Sequence, residues 1–194
     1  MLDLSSLNEA QREATQSLDG PLLVLAGSGS GKTRVLTHRL ANLLASGITN
    51  PWNIMAITFT RKAATEMRDR VNALLGNVSR GIWIGTFHHV CVRILRANAS
   101  RIGFSEQFTI YDTDDTKRLI TSILDELSIN SKAFTPNSIR SKISVYKNNL
   151  LVPGKVECLT PVDEVAVRVY ERYQQRLREL NAMDFDDLLM YTYL

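Results

Sequence analysis

Eight consecutive residues, Ala26-Gly27-Ser28-Gly29-Ser30-Gly31-Lys32-Thr33, have the types and spacing needed to hold a polyphosphate. Glycines at 27, 29 and 31 let backbone amides converge on an anion with no side chains in the way. Lys32 adds a point charge, and Thr33, opening the next helix, offers a hydroxyl to a magnesium ion. The helix dipole places about half a positive charge at the same end. The usual phosphate-loop pattern has glycine six positions before the lysine, where this chain has Ala26, so one position departs from it. A plain glycine-rich turn would also join strand to helix, but it does not call for Gly-Lys-Thr at the helix start.

Two further stretches combine hydroxyl, aromatic and basic side chains. They are Thr58-Phe59-Thr60-Arg61-Lys62 and Gly85-Thr86-Phe87-His88-His89, each closing a predicted strand. Ligands of open parallel sheets bind beyond the carboxyl ends of the strands, and such residues suit phosphate contact plus stacking of unpaired bases. Composition by itself favours the plainer reading, in which Phe59 and Phe87 are core aromatics while Thr60, Arg61 and His88 begin helices in water. Acids are less informative. Asp112 follows an apolar run, Phe108 to Tyr111, as a metal-holding acid would, yet Asp112 to Asp115 reads better as the acid-rich start of a helix. Asp184, Asp186 and Asp187 likewise read as a helix cap with solvated neighbours, and the histidines, His38 included, as surface or packing groups.

These residues need a scaffold, and the apolar pattern supplies one. Leu22 to Leu25, between the turn Asp19-Gly20-Pro21 and the glycine-rich loop, predicts a buried central strand. Leu36, Leu40, Leu43 and Leu44 then share a helix face, and Gly47 stands where a left-handed cap would end it. Ile54 to Phe59 predicts a second buried strand, followed by a helix striped by Ala63, Met67, Val71 and Leu74 and closed by Gly76. Ile82-Trp83-Ile84 and a helix carrying Val90, Cys91, Ile94 and Leu95 to about Ser100 make a third unit. Three strand-helix units in succession predict an α/β fold with a parallel sheet and right-handed crossovers.

After Gly103 helical periodicity dominates. Phe108 to Tyr111 allows one more short strand, and Leu119, Ile120, Ile123, Leu124 and Leu127 then form a helical stripe. Thr135-Pro136 and Thr160-Pro161 each put a capping hydroxyl before a proline at the first helical position. Asp184 caps a last helix, Phe185 to Leu194. Phe108 to Leu180 is expected to form an all-helical subdomain inserted into, or appended to, the sheet domain, and the last helix stops with the chain without a closing signal.

Composition narrows the alternatives. The chain has 194 residues, 44% hydrophobic and 22% charged, with 23 basic against 20 acidic side chains, so its net charge of +3 names no partner. Cys91 and Cys158 lack the spacing of a zinc site or a disulfide framework. No stretch approaches the ~20 apolar residues that span a bilayer, so no membrane partner and a cytoplasmic location are expected.

Leu7-Asn8-Glu9-Ala10-Gln11, AGSGSGKTRVL, ITFTRKAATEM, GTFHHVCVRILR and MDFDDLL at 183–189 resemble, in order and spacing, the early motifs of the UvrD/PcrA/Rep group of superfamily 1 DNA helicases. The resemblance covers the whole chain, and Ala26 is then the family's habit. It implies a P-loop NTPase sheet of RecA-like type over 1–107, a helical subdomain inserted over 108–181 and a return to the core over 182–194, cut short so that apolar surface is exposed there, with ATP and Mg2+ as cofactors. It assigns nucleotide binding to Gln11, to the loop Ala26, Gly27, Ser28, Gly29, Ser30, Gly31, Lys32 and Thr33, and to Arg34. Gln11 resembles the glutamine that reads the adenine edge and Arg34 the arginine that packs on the base. Lys32 and Thr33 are the catalytic candidates and Thr33 the metal ligand.

The same resemblance assigns Phe59, Thr60, Arg61, Thr86, Phe87, His88 and Phe185 to single-stranded DNA, reversing the plainer reading above. Arg61 stands where the family usually has asparagine and His89 where it usually has serine; a cationic replacement keeps DNA binding in place. The implied parent is an ATP-driven helicase that walks on single-stranded DNA, 3′ to 5′, and opens duplex junctions in repair or replication. Its metal-binding acid, second core and arginine finger are expected in the remainder of the same chain. These residues alone are expected to be a monomer with weak nucleotide affinity and negligible turnover. A helicase-nuclease subunit shares the early motifs. More distant rivals are a standalone P-loop kinase, in which Asp112 would be catalytic, and a DNA-binding scaffold that keeps the loop only as structure.

Overall fold

The computed structural model describes residues 2–76 and 80–194. It forms two compact units, one ending at Val90 and the other running from Cys91 to Leu194.

In the first unit Asn8 and Gln11 form a reciprocal capping box that starts α1 (Glu9–Gln16). Helix α2 (Lys32–Ala45) starts differently. Its capping residue is Gly31, left-handed at φ 86°, so no side chain caps its leading amides. α1 and α2 are tied together by Arg39, which donates to the carbonyls of Ala14 and Ser17, and by Asn42, which donates to that of Thr15. Strand β1 (Met55–Thr58), helix α3 (Arg61–Leu75) and strand β2 (Trp83–Thr86) follow. β1 and β2 pair in parallel, with Thr58 opposite Thr86. α3 presents Ala64, Met67 and Val71 to a core completed by Leu40, Ala56, Ile82 and Ile84. Gly76 ends α3 at φ 75°, where the stripe predicted a stop, and Gly47 is also left-handed at φ 69°.

The expected first strand is absent. Residues 22–25 form no strand, and Leu23 and Leu25 are 81% and 86% exposed. An apolar run becomes a strand only where another strand offers it backbone partners, and the described strands pair only in twos. A single parallel sheet therefore does not form among the described residues; two parallel pairs do.

The second pair sits in the other unit, which α4 (Phe87–Asn98) enters from the first. Strand β3 (Thr109–Tyr111) runs parallel to β4 (Ala182–Asp184), with Tyr111 opposite Asp184. Between them lie α5 (Thr113–Glu126), α6 (Pro136–Asn148) and α7 (Pro161–Glu179), and α8 (Phe185–Tyr193) follows β4. The helical stretch is thus not free of strands: its root is this pair, where only β3 had been a candidate. Thr135 and Thr160 cap α6 and α7 with proline next, and Asp112 caps α5. Leu119, Ile120, Ile123 and Leu124 of the predicted α5 stripe are buried against Ile139, Ile143, Val169, Tyr170, Tyr173 and Leu177, with Leu127, the capping residue, partly buried beside them. Side chains of that size each contribute roughly 1.5–3 kcal/mol when fully buried, so this cluster anchors the unit. No described helix is long and apolar enough to cross a membrane.

Candidate functional site

The glycine-rich loop is ordered around its lysine. Lys32 Nζ donates to the carbonyls of Ala26 at 3.0 Å and Gly27 at 2.6 Å, and the Ser30 hydroxyl donates to Gly27 O at 2.7 Å. Gly29 and Gly31 are both left-handed, which an L side chain rarely tolerates. A Cβ on Gly27 or Gly29 would meet nothing within 4 Å, so the loop is open to a ligand on those sides. Gly31 is different: a Cβ there would lie 2.9 Å from Gln11 Nε2.

Gln11, far away in sequence, is therefore part of the loop's surroundings. Its Nε2 donates to Ser30 O at 3.0 Å, while its Oε1 accepts from the Asn8 amide at 3.2 Å. The capping box and the α1–α2 ties hold it there. Lys32, Thr33 and Arg34 are exposed at the start of α2. The donor set fits a polyphosphate: helix amides that no side chain caps, a loop with glycine at 27, 29 and 31, and a cation within it.

The two strand ends form the second cluster of this unit. Beyond the paired Thr58 and Thr86, the rings of Phe59 and Phe87 meet edge to face, with centroids 5.7 Å apart and an interplanar angle of 60°. They are not core aromatics, since Phe59 is 91% and Phe87 46% exposed. Thr60 caps α3 by accepting from the Ala63 amide at 3.1 Å, and Thr86 accepts from the His89 amide at 3.4 Å. Each hydroxyl spends a lone pair on a helix start and keeps its proton for another acceptor. Arg61 is exposed at the first position of α3, and His88 is half-buried. His89 packs over Gly85, where an added Cβ would lie 2.7 Å from the imidazole, so the glycine before the strand end is required by that ring.

Phe185 belongs to the second unit, 44% exposed at the start of α8. The acids around it depart from expectation. Asp184 caps α8 as predicted, accepting from the Asp187 amide at 2.8 Å. Asp187, expected in solvent, is 1% exposed. It and Asp184 receive the ammonium of Lys147, itself 1% exposed, at 2.8 and 2.7 Å. The signal was present in α6, where Ile139, Ile143 and Lys147 recur at steps of four and put a lysine on an apolar stripe.

Burial opposes the charge on Lys147, but the two aspartates outweigh it and hold its pKa above the ordinary value. Burial pushes Asp184 up, and the charge and hydrogen bond of Lys147 bring it below the usual carboxylate value. Asp187 is pushed up to about 6 by burial, with the Asp184 charge adding to the shift and Lys147 opposing it. Asp112, the one apolar-run acid, spends its Oδ1 on the amides of Asp114 and Asp115 at 2.8 and 2.9 Å. That is the cap which the acid-rich helix start predicts.

Comparison with known proteins follows the same lines. The family profile described as UvrD/REP helicase N-terminal domain matches residues 7–194. The chain is 50% identical over 191 residues to the ATP-dependent DNA helicase PcrA of Bacillus subtilis (strain 168), covering 97% of this chain and 26% of that protein. It is 47% identical, with the same coverage, to proteins of the same name from Staphylococcus aureus (strain Mu50) and Staphylococcus epidermidis. The chain thus spans about a quarter of the length of the curated relatives it matches.

Proposed function

This chain belongs to the UvrD/REP helicase N-terminal domain family, and from that premise we propose that it is the nucleotide-binding and single-strand-binding part of an ATP-dependent DNA helicase. ATP is held by the loop from Ala26 to Thr33, with Lys32 on the phosphates, Gln11 toward the adenine edge and Arg34 against the base. Magnesium, with Thr33 among its ligands, would neutralise phosphate charge. What this chain supplies is position: backbone amides of the loop and of α2 aimed at the phosphates, and a glutamine anchored by the α1 capping box.

Single-stranded DNA is taken by Phe59, Thr60, Arg61, Thr86, Phe87 and His88 in the first unit and by Phe185 in the second. One observation carries this reading: two exposed aromatic rings held in contact at the carboxyl ends of paired parallel strands. Exposed aromatics with hydroxyls and a guanidinium beside them stack bases and pair phosphates without reading sequence. The proposed activity of the parent is 3′ to 5′ translocation with duplex opening in repair or replication, in the cytoplasm, following the resemblance of the ordered motifs. The proposed division is a RecA-like core over 1–107 and 182–194 with the helical insertion over 108–181. By themselves the 194 residues bind nucleotide weakly, turn it over negligibly and remain monomeric.

Calorimetric titration with a non-hydrolysable ATP analogue and magnesium, alongside anisotropy of a labelled oligothymidylate, tests both halves. Binding of each ligand is expected, the first lost in Lys32→Ala and the second weakened in Phe59→Ala. Failure of the parent chain to bind either ligand overturns the reading.

A further inference from the structure

The group that the function above leaves unused is the buried cation of α6. A lysine desolvated this completely is costly unless its charge is met on several sides, and here it is met by two acids that bracket Phe185 and Asp186. Lys147 Nζ lies 2.7 Å from Asp184 Oδ2 and 2.8 Å from Asp187 Oδ1. The Tyr173 hydroxyl donates to the same Asp184 oxygen at 2.9 Å, and Gln174 Nε2 to the same Asp187 oxygen at 3.0 Å. The remaining oxygens turn to the backbone: Asp184 Oδ1 accepts from the Asp187 amide at 2.8 Å, and Asp187 Oδ2 from the Asp184 amide at 3.2 Å.

All four carboxylate oxygens of Asp184 and Asp187 are therefore engaged, by α6, by α7 and by the backbone of the turn that carries Phe185. The ring itself stays 44% exposed. It borders a cavity of about 380 Å³ that Tyr111, Arg140 and Ser144 also line. An exposed aromatic on a short helix is a poor stacking platform unless the turn beneath it is rigid, because ordering it on binding would cost the affinity it provides.

We propose that Lys147 is a positioning residue: by clamping Asp184 and Asp187 it holds the first turn of α8 so that Phe185 is preset to stack on a base of single-stranded DNA. The inference rests on the reading of Phe185 as a DNA contact. It differs from two simpler roles for the same lysine. A merely structural lysine would support folding without a specific link to Phe185, and a lysine that attracts DNA through its charge would act in the opposite sense to Asp187.

The test is anisotropy of a labelled oligothymidylate with the 194-residue chain and the variants Lys147→Met, Asp187→Asn, Phe185→Ala and Lys147→Met/Phe185→Ala, with affinity for an ATP analogue as control. Loss of the clamp is expected to weaken DNA binding roughly three- to thirtyfold in both Lys147→Met and Asp187→Asn, although they change net charge in opposite directions. Nucleotide affinity stays at the parent value, and adding Lys147→Met to Phe185→Ala costs nothing further. Unchanged binding in the first two variants, tighter binding in Asp187→Asn, or an equal loss from Lys147→Met without the Phe185 ring would each overturn the proposal alone. Parent-like binding by Phe185→Ala would overturn the reading of Phe185 and the proposal with it. Where Lys147→Met does not fold, Asp187→Asn and its double variant with Phe185→Ala decide the same question.

Discussion

Phe59 and Phe87 lie 28 residues apart in the chain and meet edge to face, centroids 5.7 Å apart, because β1 and β2 pair in register and each strand ends one residue before its ring. Two aromatics so exposed forgo the burial that normally rewards them, and the use proposed for them is a stacking surface for bases. Phe59→Ala and Phe87→Ala are each expected to weaken oligothymidylate binding by about 1–3 kcal/mol, roughly 5- to 150-fold. Fluorescence anisotropy measures it, and nucleotide affinity is expected to stay at the parent value.

Lys32 is exposed and, among the described residues, is held by two loop carbonyls. Lys32→Ala is expected to leave urea-unfolding stability within ~0.5 kcal/mol of the parent. Affinity for a nucleoside triphosphate falls roughly 10- to 150-fold, as expected for a lost hydrogen bond to a charged partner. Isothermal titration calorimetry separates the two effects.

Gly31→Ala tests the cradle. Its φ of 86° costs an alanine about 1–2 kcal/mol, and the new methyl would lie 2.9 Å from Gln11 Nε2. Gln11 can swing away, but only by giving up its bond to Ser30 O. Lower stability in urea and weaker nucleotide binding are expected together, whereas Gly27→Ala, with open space at that position, leaves stability nearer the parent.

Asp187 makes stability depend on pH with a definite sign. Its folded pKa of about 6 lies above the ordinary 3.8. Between those values the folded chain holds the proton more tightly than the unfolded one, so this group's contribution to stability falls as pH rises through that window. Lys147, Asp184, Asp186, Tyr170, Tyr173 and Tyr191 are the titratable groups around it. Asp163, held low by hydrogen bonds from Lys142 and Thr160, acts in the opposite sense and loses its contribution only at more acid pH. Urea unfolding from pH 4 to 7 should show the decline in the parent and lose it in Asp187→Asn.

The local features were legible from residue order. Gly76 closing α3, the Thr-Pro starts of α6 and α7, and the Asp112 and Asp184 caps are decided within one helical turn. The shape of the glycine-rich loop was legible for the same reason, since Gly29, Gly31 and Lys32 form it through their own backbone and side chains. Three features were not. The run 22–25 is apolar enough for a strand but has no described neighbour to pair with. β4 was read only as a cap because three residues acquire strand geometry from their partner β3, more than seventy positions earlier. The two phenylalanines read as core by type until the resemblance moved them to DNA, and that their rings meet was not legible, because only the pairing of β1 with β2 brings the two strand ends together.

The order of residues alone determined where helices begin and end, which loop is built on glycines and a lysine, and which aromatic, hydroxyl and basic side chains follow the strands, because these depend on contacts within a few positions. Tertiary structure decided which of those side chains stand together: Gln11 against Gly31, Phe59 against Phe87, and Lys147 between Asp184 and Asp187. The last is the clearest case. A lysine on an apolar stripe is only a misplaced charge until the chain folds back and brings two carboxylates to it, and the energy of that pairing depends on their distance and on the exclusion of water.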